Sequence, residues 1–241
     1  MWVLCSFFFA TELFLMIPIR NVFTPEQVRQ LRLHLDQADW HAGDITAGQQ
    51  AGRVKHNQQL PQDAALTQQL GDLILDALAR HPVFISAALP QKILPPMFNR
   101  YRIGETYGLH VDNAIRIVPG TAIRVRTDLS ATLFLSDPDE YEGGDLQIQD
   151  HGGSQRVKLA AGDMILYPST SVHQVLPVTA GSRVCAVFWL QSMVRSQEQR
   201  TLLFDLDESI QSLASQHGPE HQDVTRLSAV YQNLIRQWAD A

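Results

Sequence analysis

"GDMILYPSTSVHQVLPVTAGSRVCAVFWLQS", Gly162 to Ser192, breaks apolar runs of a few residues with turn residues at short intervals. Three β-type runs can be read in it: Asp163 to Tyr167, His173 to Leu176 and Arg183 to Leu190, separated by "PST" and "VTAGS". The tight turn "PVTAGS" would set His173 and Arg183 on adjacent antiparallel strands. Upstream the same punctuation continues through Phe98 to Ile103, Leu109 to Val111, Ser130 to Leu135, Asp145 to Gln149 and Arg156 to Leu159, with "PDEYEGGD", "DHGGS" and "AAGD" as the turns.

Helical spacing flanks these strands on both sides. Val28, Leu31, Leu35 and Ala38 repeat at helical intervals within Thr24 to Trp40, and Leu66, Leu70, Leu73, Ile74 and Leu78 do so from about Asp63 to Arg80. The Gly- and Gln-rich "HAGDITAGQQAGRVKHNQQL" between them reads as a loop, and after Pro82 the pattern changes to short β-type runs as far as Leu190. Past Gln191, one helical segment carries Leu202, Leu203, Phe204, Leu206, Ile210 and Leu213 and another runs from Val224 to Trp238, parted by "SQHGPEHQD". The expected fold is therefore α+β but mainly β: a double-stranded β-helix, or jelly-roll, barrel with N-terminal supporting helices and a C-terminal helical hairpin. The expected units are a barrel with its helices over residues 16–192 and the hairpin over 193–241, and a small-molecule site is expected at the barrel mouth.

The start, "MWVLCSFFFATELFLMIPIRNVF", has no basic residue ahead of its apolar part and is interrupted by Glu12. It falls short of the ~20 apolar residues of a membrane span and lacks a cleavage site. Residues 1–15 are expected to be a non-native or disordered extension, with the natural chain beginning at Met16 as a short strand that enters a helix capped by Thr24, with Pro25 at its first position.

Composition removes some partners. Of 241 residues, 45% are hydrophobic, and 19 Lys and Arg against 25 Asp and Glu leave a formal charge of -6, so no positive field is available to hold a nucleic-acid backbone. The cysteines, Cys5 and Cys185, lie far apart in the chain, and Cys185 sits in an apolar run. They read as free thiols in a reducing compartment, with Cys185 in the core, which favours the cytoplasm.

Within "YGLHVDNA", Tyr107 to Ala114, His110 and Asp112 are two positions apart. On a strand both side chains would leave the same face, their Cα atoms about 6.5 to 7 Å apart, so that an imidazole nitrogen and a carboxylate oxygen can converge on one ion. By itself the pair reads first as a surface feature or a satisfied hydrogen-bonding pair, and only second as part of a ligand set. His173 offers a third ligand, and two histidines with one carboxylate on one face of an octahedron leave positions open, an arrangement suited to non-haem iron(II) more than to zinc. Arg183, ten positions after His173, carries a guanidinium that is costly inside a barrel unless an anion meets it, either a carboxylate ligand or a structural ion-pair partner.

Together "NRYRIGETYGLHVDNA", "RTDLSATLFLSDPDEYEGGDL" and the opening stretch resemble the iron(II)- and 2-oxoglutarate-dependent dioxygenases, and more narrowly the bacterial PKHD-type hydroxylases, relatives of prolyl and lysyl hydroxylases. The likeness spans nearly all of the chain from Met16 onward. It implies that His110, Asp112 and His173 are the iron ligands, that Arg183 holds the far carboxylate of 2-oxoglutarate, and that Tyr101 hydrogen-bonds the same carboxylate. Tyr107 and Asn113 are candidates beside the metal. The resemblance further implies Fe(II) as metal, 2-oxoglutarate as cosubstrate, molecular oxygen, L-ascorbate as reductant, and hydroxylation of an unidentified small molecule or peptide with release of succinate and carbon dioxide. It associates the chain with iron homeostasis. A non-catalytic metal or 2-oxo acid sensor on the same barrel is the alternative, and the apolar C-terminal hairpin raises a homodimer as a further expectation.

The remaining charged features receive plainer readings. Arg116, Arg124 and Arg126 follow the metal motif and read as a solvated strand pair rather than as a selector for acidic substrates. "SDPDEYEGGD" reads as a hairpin turn rather than a calcium loop. His34, His41, His56, His81, His151, His217 and His221 lack partner spacing and read as structural or exposed.

Overall fold

Helix α1 (Pro25–Asp36) starts where its sequence signals: Thr24 accepts a hydrogen bond from the Gln27 N–H, Gln27 Oε1 accepts one from the Thr24 N–H at 2.8 Å, and Pro25 opens the first turn. It buries Val28, Leu31 and Leu35. Helix α2 (Ala65–Leu78) buries Leu70, Gly71, Ile74 and Leu78, but Leu73 is 51% exposed. Gly71, with Pro96 at 3.4 Å from where a Cβ would stand, marks the centre of the buried face and turns Leu73 away from it. A computed structural model describes residues 16–44, 52–150 and 153–240 of the chain. The expected N-terminal extension, part of the Gly/Gln-rich loop, Cys5 and His151 lie outside the described residues.

Pro82 begins a helix, not a strand. Helix α3 (Pro82–Ala88) has Pro82 in its first turn and the His81 ring nitrogen accepting from the Phe84 N–H, and a left-handed Leu89 (φ 43°) closes it. Seven residues are too few for a helical period to stand out, and the usual closing glycine is absent.

In chain order the strands are β1 (Ile17–Ile19), β2 (His41–Ala42), β3 (Lys55–His56), β4 (Gln58–Gln59), β5 (Pro90–Ile93) and β6 (Met97–Tyr101). Next come β7 (Thr106–His110), β8 (Ile115–Ile117), β9 (Arg124–Arg126), β10 (Leu129–Phe134), β11 (Tyr141–Gly143) and β12 (Leu146–Asp150). The last are β13 (Gly153–Val157), β14 (Met164–Pro168), β15 (His173–Val175), β16 (Val178–Gly181) and β17 (Arg183–Ser192). An eight-stranded sheet runs β1-β14-β10-β17-β6-β4-β2 with β5 also on β17, and a five-stranded sheet runs β13-β12-β15-β7-β3. All their pairings are antiparallel. The two-residue strands β2, β3 and β4 fall in the stretch read as a loop, because so short a pairing leaves no alternation to see.

The period of two sets what β10 and β17 do. Leu129, Ala131 and Leu133 join Val184, Ala186, Phe188 and Leu190 in one core with the helix residues Leu31, Leu35, Leu70, Ile74 and Phe84. The intervening residues Ser130 and Thr132 of β10, and Arg183, Val187 and Trp189 of β17, line a cavity on the sheet's other face. Both faces are covered, so β10 is buried at every position.

Arg183 and His173 are not on adjacent strands. The stretch between them holds β16, which pairs with β11 in a separate two-stranded sheet, and β15 pairs with β12 and β7 while β17 lies between β10 and β6. Gly181 (φ 70°) lets that crossing chain pass so close to the Glu140 carbonyl that a Cβ would stand 2.0 Å from it. The chain thus leaves the five-stranded sheet after His173 and enters the eight-stranded one at Arg183.

Past β17, α4 (Gln197–His217) and α5 (Gln222–Trp238) pack on each other, with Leu203 against Val194 and Leu89, and Tyr231, Leu234, Ile235 and Trp238 beside them. The buried Arg200 donates to the carbonyls of Val194 and Arg195, and Ser86 of α3 donates to Asp207 of α4 at 2.7 Å. No described helix is long and apolar enough to cross a membrane.

Candidate active site

His110 ends β7 and His173 opens β15, and the register pairs them directly across the ladder, with ring centroids 4.2 Å apart. Each ring is oriented by its own backbone. His110 Nδ1 donates to the Gly108 carbonyl at 2.8 Å and His173 Nδ1 to the Ser171 carbonyl at 3.0 Å, which turns both Nε2 atoms, unprotonated, toward Asp112. His173 Nε2 is 3.6 Å from Asp112 Oδ2 and His110 Nε2 is 4.0 Å from Oδ1, and the three ligand atoms lie within 4.8 Å of one another. Asp112 itself accepts from Ser130 Oγ at 2.6 Å, and that hydroxyl meets Ser169 Oγ at 2.7 Å.

Burial, with the neighbouring His173 ring, pushes the His110 imidazole down to about 4 against the opposing pull of the Gly108 carbonyl and Asp112. It is neutral at pH 7, the form that binds a metal. Tyr107 stacks on it with centroids 3.6 Å apart and 13° between the planes, and its hydroxyl is pushed up to about 12, chiefly by burial. Tyr167 meets His173 edge-on at 5.2 Å. Two imidazoles and one carboxylate with both outer nitrogens anchored, all on one side of a cavity, fit a divalent metal with further positions open.

Arg183, 1% exposed, stands opposite Tyr101 across the β17–β6 ladder, its guanidinium 5.3 Å from the ring centres of both Tyr101 and Phe134. It donates to Cys185 Sγ at 2.9 Å, but its Nε is buried without a partner, and so is the hydroxyl of Tyr141. A buried guanidinium with no carboxylate beside it is a costly arrangement that an anion relieves. Tyr101 is 2% exposed, so it lies deep in the cavity rather than at its mouth, and burial pushes its hydroxyl far above the usual phenol range. Cys185 is fully buried, as its apolar run implied.

One cavity is lined by His110, Asp112, His173, Tyr101 and Arg183, together with Tyr107 and Asn113. Sequence reasoning missed three lining residues, Ser130, Lys55 and Trp189, and one neighbour of Arg183, Tyr141. Ser130, a polar residue in an otherwise apolar strand, was the visible signal for a partner of Asp112. Tyr141 stood out only as an aromatic in an acidic turn whose acids tie it to other parts of the chain, Asp137 accepting from the Ala161 N–H and Glu140 from Arg32. Lys55 was hidden in the apparent loop; it is buried, donates to Gln59 at 2.9 Å, and is held down to about 8, first by burial and then by Arg116. Trp189 reads from sequence only as part of an apolar run.

The arginine loop divides. Residues β8 and β9 form the expected strand pair, Arg124 is exposed, and Arg126 is bonded to Asp128 at 2.7 and 3.0 Å. Arg116 is half-buried rather than fully solvated: it turns over the Trp189 ring at 3.9 Å and lines the cavity, because its neighbours Ile115 and Ile117 take the outward positions of a three-residue strand. Of the remaining histidines, His81 and His221 accept from backbone N–H groups at the starts of α3 and α5.

Two family models match: the 2OG-Fe(II) oxygenase superfamily over residues 96–191 and the PKHD-type hydroxylase C-terminal domain over residues 197–240. A PKHD-type hydroxylase of Saccharophagus degradans is 56% identical over 93% of this chain and 99% of its own, and one of Bordetella pertussis is 55% identical over 94% and 100%. Among solved structures, a Pseudomonas putida prolyl-4-hydroxylase is 20% identical over 73% of this chain and 92% of its own, with a TM-score of 0.50. A Trichoplax adhaerens prolyl hydroxylase, in complex with a hypoxia-inducible-factor peptide, is 16% identical over 78% and 86%, with a TM-score of 0.53. The structural likeness carries the fold, and the sequence identity, sustained over the whole matched length, carries the family: the chain belongs to the PKHD-type hydroxylases of the 2OG-Fe(II) oxygenase superfamily.

Proposed function

We propose that this iron(II)- and 2-oxoglutarate-dependent dioxygenase hydroxylates its substrate at His110, Asp112 and His173, with Arg183 and Tyr101 holding the cosubstrate. The observation that carries the assignment is the convergence of the three ligand atoms within 4.8 Å on one wall of a cavity that also holds a buried, carboxylate-free guanidinium. Bound iron(II) with 2-oxoglutarate and oxygen supplies the oxidative decarboxylation that yields succinate and carbon dioxide and oxidises a C–H bond. The protein's residues do the rest. The Gly108 and Ser171 carbonyls fix the histidine tautomers, Ser130 orients Asp112, and Arg183, with the Tyr101 and Tyr141 hydroxyls near it, offers fixed donors to the far carboxylate. Phe134 and Tyr101 exclude water from that anchor.

In this reading the two larger sheets form the jelly-roll barrel, residues 16–192 are the catalytic unit, and 193–241 are the helical hairpin. L-ascorbate keeps the metal reduced, and the dependence on iron suits a role in iron homeostasis. The test is succinate formation from 2-oxoglutarate with ferrous iron, oxygen and ascorbate. Wild type is expected to turn over, Asp112→Ala to lose metal and activity together, and Arg183→Gln to keep metal while losing 2-oxoglutarate affinity. Turnover that survives Asp112→Ala would overturn the assignment, and a wild type that binds both but never yields succinate would favour a sensor.

A further inference from the structure

The charged side chains lining the cavity are Lys55, Asp112, Arg116 and Arg183. In the function proposed above, on which this inference rests, the metal answers Asp112 and the cosubstrate answers Arg183. Lys55 is bonded to Gln59 and lies in the field of Asp44. Arg116 remains. Its guanidinium makes no ion pair among the described residues; it sits over the Trp189 ring at 3.9 Å and donates to Met97 Sδ at 4.0 Å. The negative charge that acts on it most strongly is that of the metal ligand Asp112. Trp189, 91% buried by its 9% exposure, has an indole N–H with no acceptor. A half-buried cation whose one acceptor is a thioether sulfur, beside a buried indole N–H with none, is a pairing that an oxyanion would improve.

From this we infer that Arg116 and Trp189 form a substrate subsite for a carboxylate. The cation–π contact with the indole holds the guanidinium in place, and its forked N–H donors can meet two oxygens at once. One fork and one further N–H match the two oxygens of a carboxylate; a phosphate dianion calls for more positive charge than the one uncommitted cation here. The chain between Asp112 and Arg116 reaches at most about 14 Å between Cα atoms, so the anchored carboxylate and the carbon oxidised at the metal belong to one small molecule or one residue. Substrate and cosubstrate then have separate anchors, Arg116 on the β8–β9 hairpin and Arg183 on β17.

The test loads the full chain with manganese(II) and 2-oxoglutarate and titrates it with N-acetyl amino acids, each compared with its own primary amide. Dissociation constants come from calorimetry, and the Trp189 indole N–H resonance, identified by its loss in Trp189→Phe, reports the site. At least one acid is expected to bind about tenfold or more tighter than its amide, the worth of a charged hydrogen bond, and to shift that resonance. Arg116→Gln should erase the difference, and so should Arg116→Met, which retains the packing on Trp189, while both bind 2-oxoglutarate as wild type does. The inference is overturned if acids and amides bind alike, if no acid in the panel binds wild type more tightly than it binds the variants, or if the Arg116 variants lose 2-oxoglutarate instead. Loss of 2-oxoglutarate affinity in Arg183→Gln is read separately, so failure of the cosubstrate assignment cannot be confused with failure of the substrate subsite.

Discussion

Two side chains beside the cavity have effects that single substitutions can isolate. The Ser130 hydroxyl, 2.6 Å from Asp112 Oδ2, keeps that carboxylate turned toward the two imidazoles. Ser130→Ala is expected to lower metal affinity about 10–100-fold, the usual cost of losing such a supporting contact, while the fold persists; equilibrium titration with manganese(II) measures it. Lys55 behaves oppositely to an ordinary surface lysine. Its ammonium is pushed from 10.5 to about 8, so between these values the unfolded chain holds a proton that the folded chain has released. Folding stability should therefore rise as the pH is taken from about 8 to about 10.5 and be independent of this group below about 8. Denaturant midpoints across that range should show the rise in wild type and lose it in Lys55→Met. The metal motif was legible because His110 and Asp112 are sequence neighbours, although β7 ends at His110 and Asp112 lies just past it, whereas the burial of Lys55, Arg116 and Tyr141 depends on distant segments that no local pattern encodes.

At the scale of elements, local chemistry predicted what it controlled. The Thr24 cap, its reciprocal bond to Gln27 and Pro25 were readable because a capping box involves only neighbours. Thr24→Ala should cost about 1 kcal/mol and lower the melting temperature by about 2–4 °C, given the protein's size, with the metal site unaffected. Strand neighbours were less legible. Placing His173 and Arg183 side by side followed from the shortness of the intervening stretch, but that stretch contains β16, which buries Val178 against β11's side of the molecule and carries the chain across. The two residues still face one cavity, because they project into it from different sheets rather than from one hairpin. A seven-residue helix such as α3 and the paired dipeptides β2, β3 and β4 are specified by their tertiary partners, not by a period of their own.

For the whole molecule, the cavity is a junction. The eight-stranded sheet contributes Asn99, Tyr101, Ser130 and Arg183, and the five-stranded sheet contributes Lys55, Tyr107, His110 and His173. A ligand that contacts both should clamp them together and stabilise the entire fold. Manganese(II) with 2-oxoglutarate at about 100 times its dissociation constant is expected to add about 2.7 kcal/mol beyond the metal alone, or about 5–11 °C in melting temperature. Differential scanning calorimetry checks this, and the increment from 2-oxoglutarate should vanish in Arg183→Gln.

The two proposed anchors sit on elements of very different embedding. Strand β17 is hydrogen-bonded to β10, β6 and β5 and packs its alternate residues into the main core, so almost any change around Arg183 disturbs many neighbours at once. The β8–β9 hairpin pairs with no other strand among the described residues and shows Ile115 and Ile117 to solvent. Mutational drift is therefore tolerated unequally within a single site. Changes across residues 115–126 are expected to alter what the enzyme accepts while leaving the proposed cosubstrate anchor in place, so new specificities can arise here without the oxidation chemistry having to be reinvented.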